Sequence, residues 1–299
     1  MSKRFPELSV SGSPTQMGQN IGEHFKTQIN ELSALVLDRA NKGMRNRISW
    51  EQAEGAASNS FHRVEEFFPD IMDELRGTAS ASNVSLERLM VMNSRNMLSF
   101  DSEGCTSIMV SDQASDSGSG FAGQNWDNDP AMGPLSAVIT RKGTGKASFT
   151  SWLQPGIVAY MGFNSAGIGV CMNALNGPTD PKGLPWYFLV RCILESESSE
   201  HAIKQILSVP RALTANAAMI TTSGPLNLEI TPDSVETLES ESNGMLVHTN
   251  HCVHPSLASN NKLFANRIYG QSFDRKARAQ VLLEQRVTDG KISISDAQA

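Results

Sequence analysis

Residues 103–107 read Glu103-Gly104-Cys105-Thr106-Ser107, and here the texture of the chain changes. Before this point the sequence is mostly helical; after it come short strands separated by glycine turns. Upstream, Ser13-Pro14 is an N-cap and first-turn pair. Ile21, Phe25, Ile29, Leu32 and Val36 then recur at helical spacing and make one apolar stripe. Ser49 and Gln52 form a capping-box pattern leading toward Phe61, Val64 and Phe68. A third helix starts at Ser85 and carries Leu86, Leu89, Met90 and Met97. Only residues 8–11 read as strand in this half.

Downstream, residues 106–111 and 121–126 flank the polar loop DQASDSGSG. Residues 135–141 and 147–153 flank KGTGK as a hairpin, and 157–163 and 167–173 are joined through NSAG as another. Helices follow at 186–195 and 200–209. Strands are expected at 217–222, 227–231, 235–238 and 245–250, and helical stretches at 262–269 and 275–286. Antiparallel hairpins with helices grouped between them predict an α+β layered fold rather than a doubly wound sheet.

Composition narrows the function. The chain has 299 residues, 39% hydrophobic and 19% charged, which suits a sizeable core and excludes a disordered chain. A formal charge of −6 argues against a nucleic-acid partner and gives no electrostatic pull toward a membrane. Cys105, Cys171, Cys192 and Cys252 are too sparse for a disulfide scaffold, and no Cys-x-x-Cys pair suggests a zinc ribbon. No apolar signal region follows the N-terminal basic residues, and the most apolar stretch, 185–194, is interrupted by Arg191. A cytoplasmic location is expected; the final DAQA is not a peroxisomal targeting tripeptide.

Cys105 carries the chemical interest. A lone cysteine at a strand start is by default a small buried hydrophobe. Against that stand the preceding Gly104, the switch from helix to strand, and matching polar residues downstream. A thiol placed on the carbonyl of its own preceding residue can attack it and shift the peptide to a thioester. Glycine leaves that carbonyl open. Hydrolysis would free Cys105 as a new N-terminus, whose α-amine can act as base to its own side chain.

EGCTS at 103–107, GQNWDND at 123–129, GFNSAGIGV at 162–170 with MNAL at 172–175, and MLVHTNHC at 245–252 stand in order along the chain. With these motifs the sequence resembles the isopenicillin-N (acyl-CoA:6-aminopenicillanate) acyltransferase family of N-terminal-nucleophile hydrolases, over roughly residues 5–285. The resemblance implies a four-layer αββα sandwich and a division into a helical prosegment, 1–104, and a strand-rich catalytic chain, 105–299, within one fold. It implies Cys105 as nucleophile, Gly104–Cys105 as the self-cleavage site, and Asp127 as the acid that orients nucleophile and amine. Asn250 would donate to the oxyanion with a backbone N–H near Ala174, and Trp126, Asn173 and Leu175 would contact substrate. Taken alone, Asp127 reads equally well as a turn cap, whereas Trp126, with Trp152, Phe163, Trp186 and Tyr187, reads more readily as core than as an acyl pocket.

The implied activity is acyl transfer from a linear N-acyl amide or acyl-CoA thioester to water or an amine, with no cofactor. The implied partners are those small molecules, the cleaved prosegment and, at most, further copies of the chain. The family continues through a functional arginine and closing strands, whereas this sequence stops at SISDAQA; Arg267, Arg275 and Arg278 align with a surface helix, so the sheet is expected to lack C-terminal strands. Two other readings stay open: an unprocessed relative acting in binding or assembly, and a metal-dependent hydrolase. The latter would use the cluster His248, His251, Cys252 and His254, of which strand geometry puts His248, Cys252 and His254 on one face together with Asn250, and His251 on the other. A cysteine–histidine enzyme pairing His248 with Cys252 or Cys105 is a separate reading that lacks a local signature.

Overall fold

The computed structural model describes residues 4–42, 46–98, 104–127, 129–238, 243–263 and 267–298. In chain order the first half holds β1 (Glu7–Ser11), α1 (Pro14–His24), α2 (Lys26–Asn41), α3 (Trp50–Phe67), α4 (Pro69–Ser82), α5 (Leu86–Asn93) and α6 (Arg95–Leu98). Then come β2 (Cys105–Val110), β3 (Phe121–Trp126), β4 (Ala137–Lys142), β5 (Phe149–Leu153), β6 (Met161–Asn164), β7 (Gly169–Ala174), α7 (Trp186–Glu195) and α8 (Ser199–Leu207). The remainder is β8 (Ala215–Thr221), β9 (Gly224–Ile230), β10 (Val235–Leu238), β11 (Met245–His248), α9 (Arg267–Arg286) and α10 (Ile294–Gln298). The fold is α+β, with the helices grouped; β1 and β4 run parallel, and the pairs β2–β3, β4–β5, β5–β6, β7–β8, β8–β9, β9–β10 and β11–β2 are antiparallel.

The chain forms two compact units. One comprises Met1–Asp101, Asp129–Ala166 and Asp180–Ala212; the other Ser102–Asn128, Gly167–Thr179 and Leu213–Ala299. The units interleave along the sequence, whereas the expected cleavage at 104–105 would divide it in chain order.

In the first unit the two expected capping signals close helices: Ser13 caps α1, and Ser49 with Gln52 closes a capping box on α3. The apolar stripe from Ile21 to Val36 is buried throughout, but it spans α1 and α2, which break at Phe25. Glycines Gly18, Gly22 and Gly77 bring α1 and α4 together: a Cβ at Gly18 would strike the Glu74 carbonyl, and one at Gly77 the Thr15 carbonyl. Glu74 of α4 then lies fully inside, where Arg141 of β4 donates to it from Nε at 2.9 Å and Arg191 of α7 from Nη2 at 2.7 Å. Burial alone would raise the Glu74 carboxyl; the two guanidinium groups outweigh that and hold it near 2.

In the second unit β11, β2 and β3 form an antiparallel sheet. Alternation along β2 gives it two apolar faces. Met109 and Leu246 pack with Ala218 of β8 on one side; Val110, Met245 and Val247 pack with Leu283 of α9 on the other. The sheet therefore lies between strands β7–β9 and helix α9, and Cys105 stands at its end. The structure shortens one expected strand: residues 249 and 250 leave the ladder, and β11 ends at His248. The expected 262–269 helix falls partly on residues 264–266, outside the described residues; 275–286 belongs to the longer α9.

Candidate active site

Cys105 is the first residue of β2 and pairs across the ladder with Trp126. One step further the Asp127 main-chain N–H donates to the Gly104 carbonyl at 2.8 Å. Cys105 is only 1% exposed. Its N–H donates to Asn250 Oδ1 at 2.8 Å, and Asn250 Nδ2 donates to the Ala174 carbonyl at 2.9 Å. A third group arrives from α9. Arg275 Nη1 donates to the Cys105 carbonyl at 2.6 Å and to Thr106 Oγ1 at 3.0 Å, and its Nη2 donates to Asn250 Oδ1 at 2.8 Å. At Gly104 a Cβ would lie 2.5 Å from Asp127 Oδ2, so the glycine lets the carboxylate come close. The carboxylate occupies the space a side chain would take.

The Asn250 segment is held from two sides. Beneath it, buried Glu229 of β9 accepts from the Val253 N–H at 2.5 Å and the His254 N–H at 3.0 Å, and bonds His248 Nε2 at 2.8 Å. Burial pushes the Glu229 carboxyl up, but the His248 bond and the two amides more than compensate and leave it below the ordinary carboxylate range. Above it, Ser272 Oγ of α9 accepts from the Asn250 N–H at 2.7 Å, and Thr249 Oγ1 donates to the Ser272 carbonyl at 3.0 Å. His251 Nδ1 lies 2.7 Å from the same Ser272 Oγ, and its ring stacks on Phe273 with centroids 3.8 Å apart. Burial, followed by the neighbouring His248 and Lys276, pushes His251 down to about 4, so its ring is neutral at pH 7.

A polar seam crosses the space between the sheet and β7. Ser107 Oγ donates to Asn173 Oδ1 at 2.6 Å, and Gln124 Nε2 reaches Ser107 Oγ at 2.9 Å and the Met172 carbonyl at 2.9 Å. Asn173 Nδ2 donates to the His248 carbonyl at 3.2 Å. Buried polar groups satisfied this way fix the relative position of the strands that carry them.

The profile of the acyl-coenzyme A:6-aminopenicillanic acid acyl-transferase family matches residues 114–296. The chain belongs to this family. It is similar to the acyl-coenzyme A:6-aminopenicillanic-acid-acyltransferase 40 kDa form of Emericella nidulans, at 26% identity over 257 residues, covering 82% of this chain and 69% of that protein. Among solved structures, the N-acylethanolamine-hydrolyzing acid amidase ortholog of Caenorhabditis elegans superposes with a TM-score of 0.46 at 16% identity, over 65% of this chain and 84% of the other. Penicillin V acylase from Agrobacterium tumefaciens gives 0.32 at 11%, over 62% and 57%.

Of the residues expected from the acyltransferase resemblance, Gly104, Cys105, Asp127, Asn250 and Ala174 come together. Ala174 faces Asn250 with its carbonyl, where an N–H was anticipated. Trp126 is half-buried opposite Cys105; Asn173 is fully buried in the polar seam; Leu175 packs with Cys252 and Leu257. Arg275 corrects the surface-helix expectation: it is half-buried and reaches the Cys105 carbonyl, while Arg278 on the same helix is exposed.

The histidine cluster does not assemble as anticipated, because the strand ends at His248 and the shared face is lost. His248 Nε2 meets Glu229 and Nδ1 meets the Thr249 carbonyl, which occupies both ring nitrogens. His254 Nδ1 bonds Ser256 instead. No group of three or more His, Cys, Asp or Glu able to hold a metal occurs among the described residues. Cys252 donates to the Asn176 carbonyl, and burial pushes its thiol up to about 12, far from a ready nucleophile. Arg275, Ser272 and Glu229 were missed in the sequence. The only signals were a Ser and an Arg three apart on one helix face, and a carboxylate inside the apolar run LNLEI.

Proposed function

We propose that this chain is a self-cleaving N-terminal cysteine amidohydrolase or acyltransferase. The observation that carries the reading is the grip of Asn250 and the Asp127 backbone on the Gly104–Cys105 peptide, with Arg275 on the Cys105 carbonyl that follows it. Family membership supports the same chemistry. In this account residues 1–104 are a prosegment and 105–299 the catalytic chain, and cleavage leaves Cys105 with a free α-amine. The amine takes the thiol proton, and Sγ attacks the carbonyl of a linear N-acyl amide or acyl-CoA thioester. The leaving amine or thiol departs with the proton, and water or an amine resolves the acyl-enzyme. Asn250 donates to the oxyanion together with a main-chain N–H near Ala174. Asp127 holds the ammonium in line, and Arg275 anchors the Cys105 carbonyl so that nucleophile and Asn250 keep their spacing.

Intact mass of the purified protein tests this. Wild type should give fragments 1–104 and 105–299, and Cys105→Ala a single chain. A folded wild type that stays whole would leave the binding or assembly reading in its place. Screening acyl-CoA thioesters, N-acyl amines and penicillins then identifies the acyl donor.

A further inference from the structure

The peptide that joins Gly104 to Cys105 is gripped on both edges. Its N–H donates to Asn250 Oδ1 at 2.8 Å, and its carbonyl accepts from the Asp127 N–H at 2.8 Å. No described peptide bond is cis, and in a planar trans amide N–H and C=O point in opposite directions. Asn250 and the Asp127 amide therefore lie on opposite sides of the bond.

The orientation of the Asn250 amide follows from groups with no ambiguity of their own. Arg275 can only donate and faces Oδ1 at 2.8 Å; the Ala174 carbonyl can only accept and faces Nδ2 at 2.9 Å. Oδ1 is thus the atom turned to Cys105. In the uncut chain Asn250 is an acceptor for the scissile N–H and cannot donate to the Gly104 oxygen.

Resting on the self-cleavage reading, we propose that the chain uses two different oxyanion donors. The main-chain N–H of Asp127 serves its own cleavage, and Asn250 serves turnover. Cys105 Sγ adds to the Gly104 carbonyl carbon, and the π pair moves onto the oxygen already bonded to the Asp127 N–H. Collapse breaks the C–N bond, and the thiol proton ends on nitrogen as it becomes a primary amine still facing Asn250 Oδ1. Water then adds to the thioester carbonyl and expels Sγ. The products are the Gly104 carboxylate and the Cys105 thiol, and the Asp127 N–H holds the same oxygen throughout. Asn250 Nδ2 becomes the donor only when an external acyl group occupies Cys105.

A backbone donor is tested by removing the N–H alone. Asp127→Ala keeps it; the same variant carrying L-lactate at 127, introduced by nonsense suppression, replaces N–H by an ester oxygen. Cleavage is followed as appearance of the 105–299 fragment by intact mass, with folding checked by circular dichroism. The ester should be cut at least about 100-fold more slowly than the alanine variant, the usual effect of losing one oxyanion donor. Equal rates would overturn the assignment. Asn250→Asp provides an independent arm: it keeps the acceptor and loses the donor. Its hydrolysis of an N-decanoyl aminocoumarin should fall at least about 100-fold, and further than its cleavage does. Cleavage falling as far as turnover would overturn the division of roles. A folded wild type that is never cut would instead remove the self-cleavage reading, and this proposal with it.

Discussion

Arg275→Ala is the perturbation whose outcome follows most directly from the geometry. The guanidinium bonds the Cys105 carbonyl at 2.6 Å and Asn250 Oδ1 at 2.8 Å, both on residues no more than 1% exposed. A hydrogen bond to a charged group contributes about 1.5–3 kcal/mol, and an abandoned buried acceptor costs its desolvation. Asn250 Oδ1 keeps the Cys105 N–H, so its loss belongs at the lower end. Together the two acceptors imply a destabilisation of about 3–4 kcal/mol. The larger effect should fall on rate, since a misplacement of about 1 Å at a reacting centre slows chemistry roughly 100-fold. Arg275→Lys keeps the charge but not the fork and should fall between alanine and wild type. Urea denaturation reads the first effect, and a mass-spectrometric time course of cleavage the second. Arg275→Ala cut at the wild-type rate, with an unchanged urea midpoint, would refute the role given to this side chain.

Other expectations follow from single contacts. Gly104→Ala places a Cβ 2.5 Å from Asp127 Oδ2, a side-chain end that can swing away, so stability should change by less than about 1 kcal/mol while cleavage slows. Glu74→Gln leaves Arg141 buried without its countercharge and Arg191 with Glu195 alone, and should destabilise the protein by about 3–5 kcal/mol in urea. Because the Glu74 carboxyl is held near 2 against an ordinary 4.5, its stabilisation is complete above pH 4.5 and is lost as pH falls toward 2; thermal melts of Glu74→Gln should lack that acid limb. His251 behaves in the same sense at higher pH. Its folded value, about 4, lies below 6.5, so the unfolded chain takes up the proton first and stability drops as pH falls from 6.5 to 4; His251→Asn should flatten that window.

Local signals in the sequence translated well into structure. Ser49 with Gln52 marked a helix start through bonds spanning three residues, and hairpins such as that of β4 and β5 followed from turns flanked by alternating strands. Where a distant group takes over, the local pattern misleads. Residues 249–254 alternate like a strand, but the Glu229 carboxylate captures the Val253 and His254 amides and folds the segment into a loop. That loop is what turns Asn250 toward Cys105, so the departure from the strand pattern builds the site. Arg275 was illegible for a related reason: its partners Cys105 and Thr106 lie some 170 residues away, and its helix reads as ordinary amphipathic surface. The Asp127 N–H leaves no trace in a sequence, because every residue except proline has one. Asn250 was singled out only through the family pattern, whereas Cys105 already stood out by its preceding glycine and the change from helix to strand.

The central claim is that Cys105 becomes an N-terminal nucleophile, and trapping its acyl-enzyme tests that claim most directly. The cleaved protein is mixed with decanoyl-CoA, quenched in acid within seconds and analysed by mass spectrometry of the 105–299 fragment. The account predicts a single added decanoyl group, on the peptide beginning at Cys105, removed by hydroxylamine and absent from Cys105→Ala. A fragment that turns over substrate with no adduct, or with the adduct on Cys252, would contradict it.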